Sequence, residues 1–147
     1  MVVTDEMVDA IRVLLSGDGE EFRRLNAAID RSDEAQRAYT ALVLAAFAAA
    51  VERNFVPQVT RDTIIDYVAD VRSRSSDVAE DIDPDAAERL IAMVFDDDIN
   101  IDDLSNATRV RLQGLLLYAL ISDEGLDDAA TDRFLDGARK LADEILG

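Results

Sequence analysis

Oxygen-bearing side chains are concentrated in one short stretch of the chain. The stretch holds Asp96, Asp97, Asp98, Asn100, Asp102 and Asp103. Hard divalent cations bind through several carboxylate and carbonyl oxygens, so these residue types indicate cation binding. A cation-binding protein, or an enzyme that depends on a divalent cation, is therefore one interpretation of the stretch, and a solvated loop is the other.

The spacing follows the calcium-binding helix-loop-helix pattern only in part. Counted from Asp96 as position one, positions three, five and seven are occupied by Asp98, Asn100 and Asp102. Position six, where the turn needs glycine, holds Ile101, and position twelve, where a bidentate glutamate closes the cage, holds Ala107. A solvated loop that ends a helix is therefore favoured. The metal site is the alternative, with these candidate ligands: Asp96, Asp98, Asn100 and Asp102.

Composition excludes most other catalytic chemistry, because the chain has no histidine and no cysteine. Their absence removes the usual zinc sites, di-iron bundles and Ser/His/Asp or Cys/His nucleophiles. The only lysine is Lys140, and no glycine-rich phosphate-binding loop is present. Two carboxylates could act as acid and base, but 32 acidic residues give that idea no specificity. We predict a protein without catalytic residues or a cofactor.

The negative charge is distributed unevenly along the chain. The formal net charge is −17, and residues 77–103 hold eleven acids against one base, Arg89. Adaptation to high salt would spread acids over the whole surface, whereas a concentrated stretch favours a surface for a basic partner protein. Residues 77–103 are called the acidic segment below. The predicted partner-binding residues within it are Asp77, Glu80, Asp81, Asp96, Asp97, Asp98, Asp102 and Asp103.

The same charge argues against nucleic acid as a partner. Binding to DNA depends on a basic footprint, and the candidate helix with Arg61, Arg72 and Arg74 also carries acids on its surface. The most specific form of the interaction hypothesis is mimicry of nucleic acid toward a DNA-binding protein, although no motif supports it.

Neither membrane binding nor export is expected. The longest mainly apolar run, Ala38–Val51, is shorter than the roughly 20 residues that cross a bilayer. The first residues have neither the basic nor the apolar region of a secretory signal, so we expect a cytoplasmic protein.

Hydrophobic periodicity predicts an all-α, single-domain bundle over residues 1–147, with about seven helices around a buried alanine-rich helix, Asp33–Arg53. Residues 73–81 lack an apolar pattern and are expected to form a solvated loop. Phe95, Leu141 and Ile145 are expected to point into the core. The expected N-caps are Thr4, Ser32 or Asp33, Thr60, Asp83, Ser105, and Asp127 or Asp128.

An internal duplication is a further hypothesis. Ala41–Phe55 matches Leu112–Leu126 in apolar character at an offset of 71, while the acids that begin at Asp62 recur from Asp128 at an offset of 66. Any two amphipathic helices share such spacing, so chance similarity is the alternative.

Overall fold

The computed structural model describes residues 2–29, 32–74 and 76–147, and these residues form helices and connecting turns without a strand. The predicted all-α class is confirmed. The eight described helices are α1 (Asp5–Ser16), α2 (Gly19–Ala28), α3 (Asp33–Phe55), α4 (Arg61–Arg72), α5 (Ser76–Asp81), α6 (Pro84–Ala92), α7 (Asn106–Glu124) and α8 (Asp128–Leu146).

The helices begin where short polar side chains accept hydrogen bonds from the first turn. The Thr4 hydroxyl accepts from the amide of Met7, and the Asp83 carboxylate accepts from that of Ala86 ahead of a helix with Pro84 in its first turn. The predicted caps are confirmed at Thr4, Ser32, Thr60, Asp83, Ser105 and Asp127.

The alanine-rich helix α3 is the centre of the bundle, as predicted, and packs most extensively against α7 and α8. Ala45, Ala46 and Ala50 are fully buried, and so is Phe47. Small side chains let neighbouring helices approach the α3 axis, and the larger side chains of α7 and α8 fill the space between them. On the far side, α4, α5 and α6 form a group that reaches the centre through contacts of α6 with α7.

The predicted loop over residues 73–81 is wrong in its second half, because residues 76–81 form α5. The reason lies outside the segment. The guanidinium of Arg72, at the end of α4, donates to the carbonyl oxygens of Ala79 at 3.2 Å and Ile82 at 2.9 Å. Orphan carbonyls at a helix C-terminus are stabilised by such a cation, so this short helix forms without an apolar stripe.

Three predicted core positions are wrong. Helix α6 ends at Ala92, ahead of Phe95, whose exposed fraction is 37%. In α8 the exposed fractions of Leu141 and Ile145 are 37% and 52%. The buried stripe of α8 instead runs through Phe134, Leu135, Ala138 and Ala142, because this face packs on α3. The internal duplication stays a prediction.

Candidate functional surface

The acidic segment comprises α5, α6 and the turns that lead into α7. Helix α6 orients it, because Ala86, Ala87, Leu90 and Ile91 are buried and the opposite side of the helix faces solvent. All eight predicted partner-binding residues are exposed.

Arg89 is the base within the acidic segment, and its side chain contacts other residues of the same segment. Its guanidinium forms two hydrogen bonds to the Asp103 carboxylate, at 2.7 and 3.1 Å, and one to Asp85 at 3.0 Å. It also donates to the main-chain carbonyl of Asn100 at 3.0 Å. The hydrogen bond from Arg89 holds the pKa of the Asp103 carboxyl below its usual value. Arg89 thus joins α6 to the loop that follows it.

A second arginine fixes the same loop from the other side. Arg109, in the first turns of α7, donates to the carbonyl oxygens of Leu104 at 3.0 Å and Ile101 at 2.9 Å. A planar guanidinium can hold two acceptors at once, so Arg89 and Arg109 together determine the path of the loop backbone. The loop is therefore shaped by contacts from two helices.

Within the loop, two side chains hold its local turns. The Asp96 carboxylate accepts from the amide of Asp98 at 2.9 Å, and the side-chain oxygen of Asn100 accepts from the amide of Asp102 at 2.7 Å. These are turn-forming contacts of the kind that Asp and Asn make with the backbone two residues on.

The alternative metal site stays a prediction, and the structure shows where its candidate ligands lie. Over residues 2–29, 32–74 and 76–147, no three acidic side chains are grouped closely enough to hold a metal ion. Two of the four candidate ligands, Asp96 and Asn100, use a side-chain oxygen for a backbone amide. Asp98 and Asp102 supply those amides and direct exposed carboxylates to solvent.

Six of the eight predicted partner-binding acids face solvent without a basic neighbour among the described residues. In the described part of the chain, no arginine or lysine lies within 4.0 Å of these carboxylates. They are Asp77, Glu80, Asp96, Asp97, Asp98 and Asp102. Asp81 lies 3.8 Å from Arg111, in a pair that is open to solvent on both sides. The structure therefore brings the predicted residues to the surface and separates most of them from cations.

Sequence reasoning missed a polar cluster between α4 and α7. Arg74 forms two hydrogen bonds to Asp123, at 2.9 and 2.8 Å, and one to Asp70 at 2.9 Å, while the Tyr67 hydroxyl donates to Asp123 at 3.2 Å. The hydrogen bond from Arg74 lowers the pKa of Asp123, and burial raises that of Tyr67. No sequence signal links partners so distant along the chain. The cluster joins the α4–α6 group to the centre of the bundle.

Sequence reasoning also missed a cavity of about 490 Å³ between α1, α2, α3 and α7. Its apolar lining includes Phe22 and Ile29. At the level of sequence these residues have the spacing of an ordinary buried stripe, so no signal identifies them as cavity walls.

Comparison with known proteins gives no functional information. No protein-family model matches the chain, and neither a curated protein nor a solved structure is significantly similar to it. In the described ranges no helix combines the length and apolar character needed to cross a membrane. Function is therefore inferred from the geometry and charge of this chain.

Proposed function

We propose that this protein is a non-catalytic interaction or regulatory protein that presents the acidic segment to a basic surface on a partner protein. One observation carries the proposal. The arginines around the segment hold its backbone, whereas the acids Asp96, Asp97, Asp98 and Asp102 face solvent without a described base beside them.

A fixed loop is suited to binding because less conformational entropy is lost when a partner docks. Arg89 and Arg109 already hold three main-chain carbonyls between Asn100 and Leu104. Preorganisation of this kind lowers the cost of association without adding a contact.

The uncompensated charge supplies the attraction. Asp96, Asp97 and Asp98 are adjacent along the chain, so their carboxylates repel one another until a cation approaches. A basic surface would relieve this repulsion and would be attracted from a distance at low ionic strength. Binding should therefore be fast and should weaken as salt is added.

The test uses two variants with the same change in net charge. The first replaces four acids of the loop, as D96N, D97N, D98N and D102N. The matched control replaces four exposed acids outside the segment, as D62N, D66N, D136N and D143N. The immobilised wild-type chain should capture a basic protein from the source cell at low salt and release it at high salt. The captured protein is then purified for direct affinity measurement.

We expect the loop variant to bind the purified partner at least about tenfold more weakly, since each exposed charge pair contributes about 0.2–1 kcal/mol. The control should bind within about threefold of wild type, because its lost charges act only through screened long-range attraction. Equal weakening by both variants, or binding that is indifferent to salt, would contradict the proposal. Stoichiometric calorimetric binding of calcium, magnesium or manganese that is lost in the loop variant would replace it with the cation-binding alternative.

A further inference from the structure

The cavity between α1, α2, α3 and α7 has the size of a small-molecule site. Its volume of about 490 Å³ falls within the roughly 300–1,000 Å³ that is typical of ligand pockets. Each of the four helices contributes an apolar side chain to its lining: Leu14 of α1, Phe22 of α2, Val43 of α3 and Leu115 of α7.

Helix α2 covers the cavity without filling it. No described residue of α2 is buried, and its main packing partner is α1. Phe22 within α2 and Ile29 at its end are half-exposed and line the cavity. The apolar face of α2 is therefore directed at the cavity and is not closed against another helix.

The electrostatics of the cavity differ from those of the rest of the molecule. Although the chain has 32 acidic residues, none is among the described residues that line this cavity, and the only charged one there is Arg111. Its nearest acid is Asp81, at 3.8 Å in a solvent-exposed pair, which leaves guanidinium donors available.

One exposed edge of the cavity lies at the start of α7. Asn106, Ala107 and Arg111, which line the cavity from the first turns of α7, are exposed. Of the eight described helices, α7 alone has no acid in its first turn, so its positive dipole end is not offset there. Arg111 and this helix end together favour a negative group at the opening.

The cavity wall also contains the side chain of Tyr39. The Tyr39 oxygen is buried and has no hydrogen-bond partner among the described residues, although buried phenols normally have one. Burial raises the pKa of Tyr39 to about 12, so the group remains a neutral donor at neutral pH.

We propose that the cavity binds an amphipathic carboxylate, with its hydrocarbon chain under α2 and its carboxylate at Arg111 and the first turn of α7. The apolar lining takes the chain, and the guanidinium of Arg111 takes the charge. This site lies outside the acidic segment, so it can be tested independently of the proposed interaction.

The probes are decanoate and decanol, which share a chain length and differ in charge, titrated into the full chain below their aggregation concentrations. We expect decanoate to bind with one-to-one stoichiometry and decanol to bind more weakly. Arg111→Gln should weaken decanoate binding about tenfold and leave decanol binding unchanged. Arg133→Gln removes the same charge from an exposed position on α8 and is the matched control, with no effect on either probe.

A second pair of variants tests whether the probes bind inside the cavity. A Cβ at Gly114 would lie 3.8 Å from the nearest atom, Leu14 Cδ2, so Gly114→Ala fits and should retain binding. Gly114→Leu extends a larger side chain from the same wall and should abolish binding of both probes. A thermal melt confirms that each Gly114 variant is folded. If Gly114→Leu does not fold, the binding measurements on Arg111→Gln still test the proposal.

Several outcomes would overturn the proposal. Failure of decanoate to bind at millimolar concentration would remove the site. Binding that survives in folded Gly114→Leu would place the ligand elsewhere on the protein. Decanol bound as tightly as decanoate, with no effect of Arg111→Gln, would overturn the carboxylate as the ligand class.

Discussion

Helices α2 and α6 have nearly the same local signals and very different surroundings. Each is about ten residues long, begins at an aspartate that accepts a hydrogen bond from its first turn, and carries apolar residues at helical spacing. Helix α6 buries four residues between α4 and α7, whereas α2 has no buried residue and covers a cavity. Amphipathic spacing thus predicts a helix but does not predict what its apolar face will contact.

This difference in packing makes the position of α6 fixed and that of α2 adaptable. Helix α6 buries one face against α4 and α7, so the acidic surface on its outer side has a fixed position. Helix α2 is attached mainly through α1, so its position can adapt to what lies beneath it.

The largest contrast should come from removing one apolar side chain from each helix. Leu90 of α6 is fully buried, so Leu90→Ala should lower the free energy of unfolding by about 2–5 kcal/mol. Phe22 of α2 is only partly buried, so Phe22→Ala should cost about 1 kcal/mol despite the larger side chain. Urea unfolding followed by circular dichroism measures both. Equal losses would mean that the apolar face of α2 is as closely packed as that of α6.

A smaller contrast should come from the caps. Asp18 and Asp83 each accept a hydrogen bond from a first-turn amide, at 3.0 and 2.9 Å, and removing such a cap costs about 1 kcal/mol. Asp83→Ala should lower the global free energy of unfolding, because α6 opens only with the bundle. Asp18→Ala should instead accelerate amide exchange within α2, about fivefold, and leave global unfolding unchanged. Hydrogen exchange read by mass spectrometry distinguishes the two, and a global loss from Asp18→Ala would contradict the adaptable role of α2.

The smallest contrast concerns acid sensitivity. Hydrogen bonds from Arg89 and Arg24 lower the pKa of Asp103 and Glu21 respectively. A carboxyl with a lowered folded-state pKa stabilises the fold above its usual pKa, and this stabilisation is lost as pH falls through the folded-state pKa. In carboxyl NMR titrations, Arg89→Gln and Arg24→Gln should each raise the pKa of the partner acid.

Only Arg89→Gln should also disturb the loop before α7, since Arg24 and Glu21 both belong to α2. Faster amide exchange over residues 96–104 would show that disturbance. If the pKa of Asp103 does not change in Arg89→Gln, the contact between α6 and the loop does not persist in solution.

Local signals account for the part of the fold that could be predicted. Thr4, Thr60, Asp83 and Ser105 mark helix starts because a cap is a contact between residues three apart, and the alanine-rich run indicates a central helix because it has no polar face. The acidic segment is visible for the same reason, since its charge is contiguous along the chain.

The features that could not be predicted from the sequence depend on contacts between residues that are distant along the chain. Helix α5 depends on Arg72 of α4, and the cluster around Asp123 depends on Tyr67 of α4 and on Arg74 in the turn after it. Leu141 has correct helical spacing and is still exposed, because the stripe that packs on α3 is one position away. The cavity is the feature that the sequence predicts least, because it depends on how four helices are arranged and no single residue indicates it.

The guanidinium contacts of the acidic segment have a consequence for how its properties can be varied. Arg72, Arg89 and Arg109 hold main-chain carbonyls, and lysine, with a single point charge, cannot reproduce a planar two-acceptor grip. Replacing one of these arginines with lysine would keep the net charge and lose the shape of the surface. Replacing Asp97 with asparagine would keep the shape and lose one negative charge. Shape and charge of this surface are thus encoded in different residues, and an engineer can alter either one without the other.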